Sequence, residues 1–311
     1  MGVLNPTTRP FALLASLALV TACGPESAPQ SLYGPQSLGT TDASTLDLGE
    51  VQATFTGTID GTWLMYSQTS TCIDVASSSS EFFQRTLYLI ETVENEWGVL
   101  EETWQACEME LSEVLALTPA VSQSMLETTW PIVVVGGQST GATIGDGYAS
   151  SGVPELWGLD LEDPLNSEIP DIPRNADTSF PDFPPEVIDS DEDGWPGITL
   201  TFDGGFCEAY IAQRTIHHFY GEYTAPDRIE GGVVSTSVQH VLGADNSLCG
   251  AAYDRRSNDR RNTFTRIRVD GRGNAYNADA NNDGQISCDE VVQLRPQFFE
   301  YVEIDDDSCD L

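Results

Sequence analysis

Short runs that alternate apolar and polar residues, bounded by Gly, Asp, Asn or Ser, recur along most of this 311-residue chain. Residues 54–59, Thr-Phe-Thr-Gly-Thr-Ile, place Phe55 and Ile59 on one face and threonines on the other. Similar runs occupy 61–69, 84–91, 97–104, 130–135, 198–203, 208–219, 229–241, 263–269 and 298–304. A period of two is the signature of a half-buried strand. The helical period is weak everywhere and argues for one early helix only, around 108–117. About ten short strands with turn signals between them predict a mostly β protein, an antiparallel β-sandwich or barrel with long loops. Residues 154–185 hold seven of the 17 prolines and read as an extended loop, inside one domain or between two.

Charge narrows the functions open to such a fold. There are 49 Asp plus Glu against 13 cations, all of them arginine, for a net charge of −36. Without lysine, a Walker-type phosphate loop, a Schiff-base enzyme and a kinase-type centre lack their ammonium group. The acidic surface also argues against a nucleic-acid partner, because phosphate binding rests on clustered cations. Seven of the arginines nevertheless fall between 255 and 272. On a strand from 263, Arg266 and Arg268 share one face, opposite Ile267 and Val269. Internal balance against the acidic body is the favoured reading of this island, ahead of docking to anionic headgroups or an acidic polymer.

The N-terminus reads as an export signal. Arg9 is its only charge, Phe11 to Val20 is apolar except for Ser16, and Thr21-Ala22 precede Cys23. Leu19-Val20-Thr21-Ala22-Cys23 resembles the bacterial lipoprotein processing box. The resemblance implies cleavage before Cys23, acylation of that residue and anchoring to the lipid bilayer; the alternative is an ordinary secreted protein cut near Ala22. Gly24 in place of Asp points, by analogy with enteric bacteria, to the outer membrane. The expected organisation is a signal peptide at 1–22, a lipidated Cys23 with a flexible tether to 49, a β-rich body at 50–270, and a loop with a C-terminal segment at 271–311. Removing one arginine with the signal leaves 12 − 49 = −37. Six further cysteines, Cys72, Cys107, Cys207, Cys249, Cys288 and Cys309, suggest three disulfides. Of fifteen possible pairings, neighbour pairing (72–107, 207–249, 288–309) is preferred. No Cys-x-x-Cys pair is present, so zinc has little support.

Residues 279–290, Asp-Ala-Asn-Asn-Asp-Gly-Gln-Ile-Ser-Cys-Asp-Glu, resemble the twelve-residue EF-hand calcium loop. The resemblance implies side-chain ligands from Asp279, Asn281, Asp283 and Glu290, a backbone carbonyl from Gln285 and a water held by Ser287. Gly284 supplies the sharp turn and Ile286 packs inward. The stretch before the loop, with Gly271 and Gly273, does not read as an entering helix, and the exit helix has room only from Glu290 to about Leu294 before Pro296. The loop is thus closer to a half EF-hand or dockerin-like loop. With four methionines in the chain there is no Met-rich groove to expose, so calcium is expected to stabilise structure rather than trigger opening. A second loop, Asp189-Ser-Asp191-Glu-Asp193-Gly194-Trp195, resembles the first half of the same motif and the short repeats of thrombospondin type 3 modules. Its implied ligands are Asp189, Asp191, Asp193 and the Trp195 carbonyl. Position 12 is Leu200, so Asp203 or a distant acid would have to close it.

Catalytic signals are weaker. Gly137-Gln-Ser139-Thr-Gly141 matches the nucleophile elbow formally, but it leads into glycine-rich chain rather than a helix. His217, His218 and His240 lie on strand-like runs without metal spacing and read as ordinary strand residues. The expected function is therefore non-enzymatic: a calcium-binding, membrane-anchored structural or binding module. One alternative is a β-barrel carrier of a small apolar ligand in a cavity lined by Trp63, Trp97 and Trp104. The other is a serine hydrolase using Ser139.

Overall fold

The computed structural model describes residues 57–75, 78–114, 116–172, 183–246, 249–250, 253–299 and Cys309. The signal, the lipoprotein box with Cys23 and the tether lie outside the described residues, as do 54–56 of the first strand expectation and 300–304 of the last. Residues 53–311 form one compact unit; the expected proline-rich loop begins as strand at 154–157, and its residues 173–182 lie outside the described residues. No helix among the described residues is long and apolar enough to cross a membrane.

In chain order the elements are β1 (Gly61–Val75), β2 (Ser78–Glu94), β3 (Val99–Leu111), β4 (Pro119–Ala120), α1 (Gln123–Thr129), β5 (Ile132–Ser139), β6 (Gly147–Ala149) and β7 (Val153–Trp157). They continue with β8 (Ile198–Phe202), β9 (Cys207–Ala225), β10 (Arg228–Ala244), β11 (Asp254–Ser257), β12 (Thr263–Arg268), α2 (Cys288–Val292) and α3 (Arg295–Phe298). The strand pairings run β1–β2–β3–β5–β6–β9–β10–β12 and return to β1, every step antiparallel. That circuit is a closed barrel, the arrangement in which ring strands keep no unpaired edge. Two walls are spliced. Along β9, β6 pairs at Gly147↔Glu222, β7 takes over at Val153↔His217, and β8 follows at Ile198↔Ile211. Along β1, β12 gives way to β11 at Thr71↔Ser257.

Alternation fixes what fills the barrel. On β3, Leu100, Glu102, Trp104 and Ala106 are buried at every second position. With Trp63, Phe219 and Phe264 they pack one half of the interior solid, Trp104 stacking on Phe219 at 5.1 Å and Phe219 meeting Phe264 edge-on at 5.5 Å. The expected shared face of Arg266 and Arg268 exists, and it points inward. Arg266 is wholly buried and pairs with Glu102 at 2.7 Å, its guanidinium 4.9 Å from the ring centres of both Trp63 and Tyr148. Arg268 donates to the carbonyls of Asp60 and Thr58. The opposite face, with Ile267, Val269, Leu64, Leu87 and Leu89, turns outward and is covered by Ala278, Val291 and Phe299 of the C-terminal segment. Strands β1, β2 and β12 are therefore buried on both sides, which is why they read Trp63-Leu64-Met65 and Leu87-Tyr88-Leu89-Ile90.

Several expectations change. Residues 57–60 are not in a strand, and Phe298 ends α3 instead of starting a strand. The expected helix at 108–117 is strand β3 as far as Leu111, followed by a turn in which Val114 bridges Leu117. Pairing with β2 decides it: Arg85 lies opposite Glu110, and Arg295 reaches Glu108 (3.4 Å) and Glu110 (2.6 Å). Helix α1 was not foreshadowed by periodicity; it is seven residues long, capped by Ser122, whose hydroxyl accepts the Met125 N–H at 3.1 Å.

Of the disulfides, Cys207–Cys249 follows the neighbour pairing. The other two do not: Cys72 bonds Cys309 and Cys107 bonds Cys288. Cys72 is on β1 and Cys107 on β3, with β2 between them. Two strand spacings are about 9.5 Å, beyond the reach of a disulfide. The C-terminal segment instead lies back over the barrel wall and is stitched to β3 and β1.

Candidate functional site

The two acidic loops adopt the same backbone. At position 4, Glu192 and Asn282 both have φ 59°; at position 6, Gly194 has φ 93° and Gly284 φ 86°. The left-handed turn at position 6 is where a glycine is needed. Three hydrogen bonds repeat. Asp193 N–H donates to Asp189 Oδ1 (3.2 Å) as Asp283 N–H does to Asp279 Oδ1 (3.1 Å). Gly194 N–H donates to Asp189 Oδ2 (2.9 Å) as Gly284 N–H does to Asp279 Oδ2 (3.0 Å). Trp195 N–H to Asp193 Oδ1 and Gln285 N–H to Asp283 Oδ1 are both 2.8 Å. In each loop the chain turns around the first aspartate, which accepts from the N–H groups at positions 5 and 6.

The loops differ in how they close. In the C-terminal loop, Glu290 reaches back across the turn: its Oε1 accepts the N–H groups of Ala280 (3.0 Å) and Asn281 (3.3 Å). Its Oε2 accepts the Ser287 N–H and hydroxyl, both at 2.9 Å. These bonds, the Ser287 N–H foremost, hold the Glu290 carboxyl below its usual range. Ile286 packs against the apolar layer on the outer barrel wall, and α2 begins at Cys288 with its disulfide to β3. A short exit helix follows the loop as expected, and only a single 3-10 turn, Arg272–Asn274, precedes it in place of an entering α-helix.

In the earlier loop Asp189, Asp191 and Asp193 each offer a carboxylate oxygen, all within 4.8 Å of one another, the one such cluster of His, Cys, Asp or Glu among the described residues. Asp191 is 5% exposed. Its Oδ2 accepts the Thr199 N–H at 2.8 Å, while its Oδ1 is buried with no hydrogen-bond partner. Burial, with Asp193 and Asp189 adding to it against the Thr199 bond, pushes this carboxyl up to about 6. Helix α1 buttresses the loop, Ser124 donating to the Asp191 carbonyl at 2.9 Å and Thr128 to that of Ser190. Trp195 stacks on Tyr210 at 5.1 Å. Leu200, at position 12, is buried, and Asp203 does not close the loop: its Oδ1 accepts the Thr118 N–H at 2.9 Å. The oxygen chemistry suits a hard divalent cation in both loops.

A third feature lies inside the barrel. The expected tryptophan-lined cavity does not form, because Trp63 and Trp104 are in the filled half and Trp97 is 80% exposed at the β2–β3 turn. The opposite half of the barrel is hollow, with a cavity of about 490 Å³. Part of its lining is apolar, including Phe82, Phe202, Ile211 and Val241. On the β9–β10 ladder the pair Ile211–Val241 gives way to polar pairs, Gln213 with Gln239 and Thr215 with Ser237, and Ser235 follows on β10. Buried His217 contacts the Ser235 hydroxyl through Nδ1 at 2.8 Å, with Nε2 3.6 Å from the wholly buried Glu155. Glu155 is held by Gln84 Nε2 at 3.0 and 3.1 Å. Ser139 is elsewhere, at the end of β5, donating to the carbonyls of Gly141 and Gly147. The buried histidine thus serves Ser235, not the elbow-like serine.

No family model, curated protein or solved structure matches this chain. Its function rests on the loops and the barrel themselves. Sequence reasoning missed Glu102, Glu155 and Arg255. Glu102 had a usable signal, since it sits on the apolar parity of Leu100, Trp104 and Ala106. Arg255 had none, because a residue's side of a cavity depends on barrel closure.

Proposed function

We propose that this protein is a calcium-binding lipoprotein of the bacterial cell envelope, probed as a structural and binding module rather than an enzyme. Calcium fastens its β-barrel at two places. The C-terminal loop, through Asp279, Asn281, Asp283, Glu290 and the Gln285 carbonyl, clips the terminal segment onto the outer face of β1, β2 and β12. The earlier loop, through Asp189, Asp191, Asp193 and the Trp195 carbonyl, fixes the chain entering β8 against α1. The observation that carries this reading is the shared conformation of two loops remote in sequence, one of them with a buried carboxylate oxygen that no donor among the described residues satisfies. A buried acceptor without a donor costs stability, and a dication in the cluster removes that cost. Attachment through acylated Cys23 rests on the processing box, and exported disulfides agree with it. The test is thermal unfolding of the full chain in excess calcium and in chelator. Binding to the native state alone raises the midpoint, by about 2.7 kcal/mol of stability per site at a hundred times the dissociation constant. An unchanged midpoint would sink the proposal.

A further inference from the structure

The hollow half of the barrel contains a cation that no carboxylate among the described residues neutralises. Arg255, on β11, extends to the opposite wall, where its Nη1 donates to Oε1 of Gln213 (3.2 Å) and to Oε1 of Gln239. These two neutral amides orient the guanidinium and leave donors over. Its Nε is buried without a partner, and Nη2 makes no hydrogen bond among the described residues. Five other arginines of the island have acids: Arg256 Asp74, Arg261 Glu81, Arg266 Glu102, and Arg268 and Arg272 Asp270; the sixth, Arg260, is exposed to water. In a chain with 49 acids, a lining arginine with none beside it is an exception. Burial alone pulls this guanidinium down to about 10, with no carboxylate acting against it, so it is still charged at neutral pH. A desolvated charge held only by neutral dipoles is unfavourable, and an anion entering the cavity relieves it.

The rest of the lining limits what that anion can be. The Phe82 ring centre lies 5.9 Å from the guanidinium, and Phe202, Ile211 and Val241 are the further apolar part of the lining. A bare inorganic anion would leave that part against water. A volume of about 490 Å³ falls in the range of small-molecule sites, and an eight-membered barrel circuit is wide enough for one such ligand. We propose that the cavity binds an amphiphilic organic carboxylate, its charged end on Arg255 and its apolar body along Phe82, Ile211 and Val241. The site is separate from both acidic loops and does not depend on the calcium reading. Carboxylates suit arginine because the guanidinium presents paired N–H donors in a fixed plane.

The experiment is isothermal titration of the full chain carrying Cys23→Ser, which takes no acyl group and needs no detergent. Decanoate, decanol and acetate are titrated separately, below their aggregation concentrations and in calcium buffer. One decanoate is expected per chain, bound at least tenfold more tightly than decanol, with no measurable acetate binding. Arg255→Gln is expected to weaken decanoate at least tenfold and leave decanol unchanged. The proposal is overturned if decanoate does not bind, if decanol or acetate binds as tightly, or if folded Arg255→Gln binds decanoate as the parent does. Should Arg255→Gln fail to fold, the decanoate-to-decanol ratio of the parent chain decides alone.

Discussion

Replacing Glu102 by leucine removes one half of an ion pair sealed inside the barrel, and the cost can be worked from its contacts. Glu102 is 1% exposed and accepts from Arg266 Nη1 (2.7 Å), the Tyr148 hydroxyl (3.0 Å) and the Thr92 hydroxyl (3.1 Å). Removing one partner of a buried pair costs about 3–5 kcal/mol, because the remaining charge has neither water nor a counter-charge. The Tyr148 hydroxyl, left without its acceptor, adds about 1–3 kcal/mol. The faces of Trp63 and Tyr148 are beside Arg266 before and after, so they do not offset the loss. The sum, about 4–8 kcal/mol, is a large part of the roughly 5–15 kcal/mol that keeps a domain folded. Glu102→Leu combined with Arg266→Met removes both charges and should cost only about 2 kcal/mol, from the two stranded hydroxyls. Urea unfolding followed by tryptophan fluorescence reads all three variants, with Arg266→Met closing the double-mutant cycle. The expected coupling is at least 3 kcal/mol. A Glu102→Leu cost below about 1 kcal/mol, as for a surface pair, or a double variant that costs the sum of the singles, would refute the inward placement of this pair.

Other consequences follow from the same architecture. Ile267→Asp should destabilise by about 3 kcal/mol or more, since the side chain is 5% exposed beneath the C-terminal segment; a loss under 1 kcal/mol in urea unfolding would mean that this face is open to solvent. Joint replacement of Cys107 and Cys288 by serine opens a link spanning 181 residues, worth up to about 5 kcal/mol by chain entropy. Non-reducing peptide mapping should recover the 107–288 and 72–309 pairs; a 288–309 bridge would contradict the fold. Cys23→Ser should abolish incorporation of a labelled fatty acid and release the protein from the membrane fraction; retention of label would place the acyl group elsewhere.

The strands were legible because alternation survives wherever one face is buried, as at 97–104, and because strands buried on both faces, as at 84–91, still read as apolar and β-branched runs. What alternation could not say is which face is inside. Arg266 and Arg268 look solvent-facing by type, yet the barrel takes them in and the C-terminal segment covers Ile267 and Val269. Closure of the ring was equally hidden, because it depends on β9 pairing with β10 and with three successive short strands. The segment after Cys107, rich in Glu, Met and Leu, suits either a helix or a strand locally, and its cross-strand partners settle it. The acidic loops were visible in full because their spacing is local. Their apparent missing ligand was not: Asp203 looks available in sequence but belongs to the Thr118 turn.

The most direct test of the calcium account is the binding stoichiometry of the full chain, measured by titration after exhaustive chelation. Two calcium ions per chain are expected, falling to one in Asp283→Ala and to one in Asp191→Asn, each variant keeping the affinity of the loop left intact. No calcium bound to the parent chain, or two ions still bound when both substitutions are combined, would contradict it.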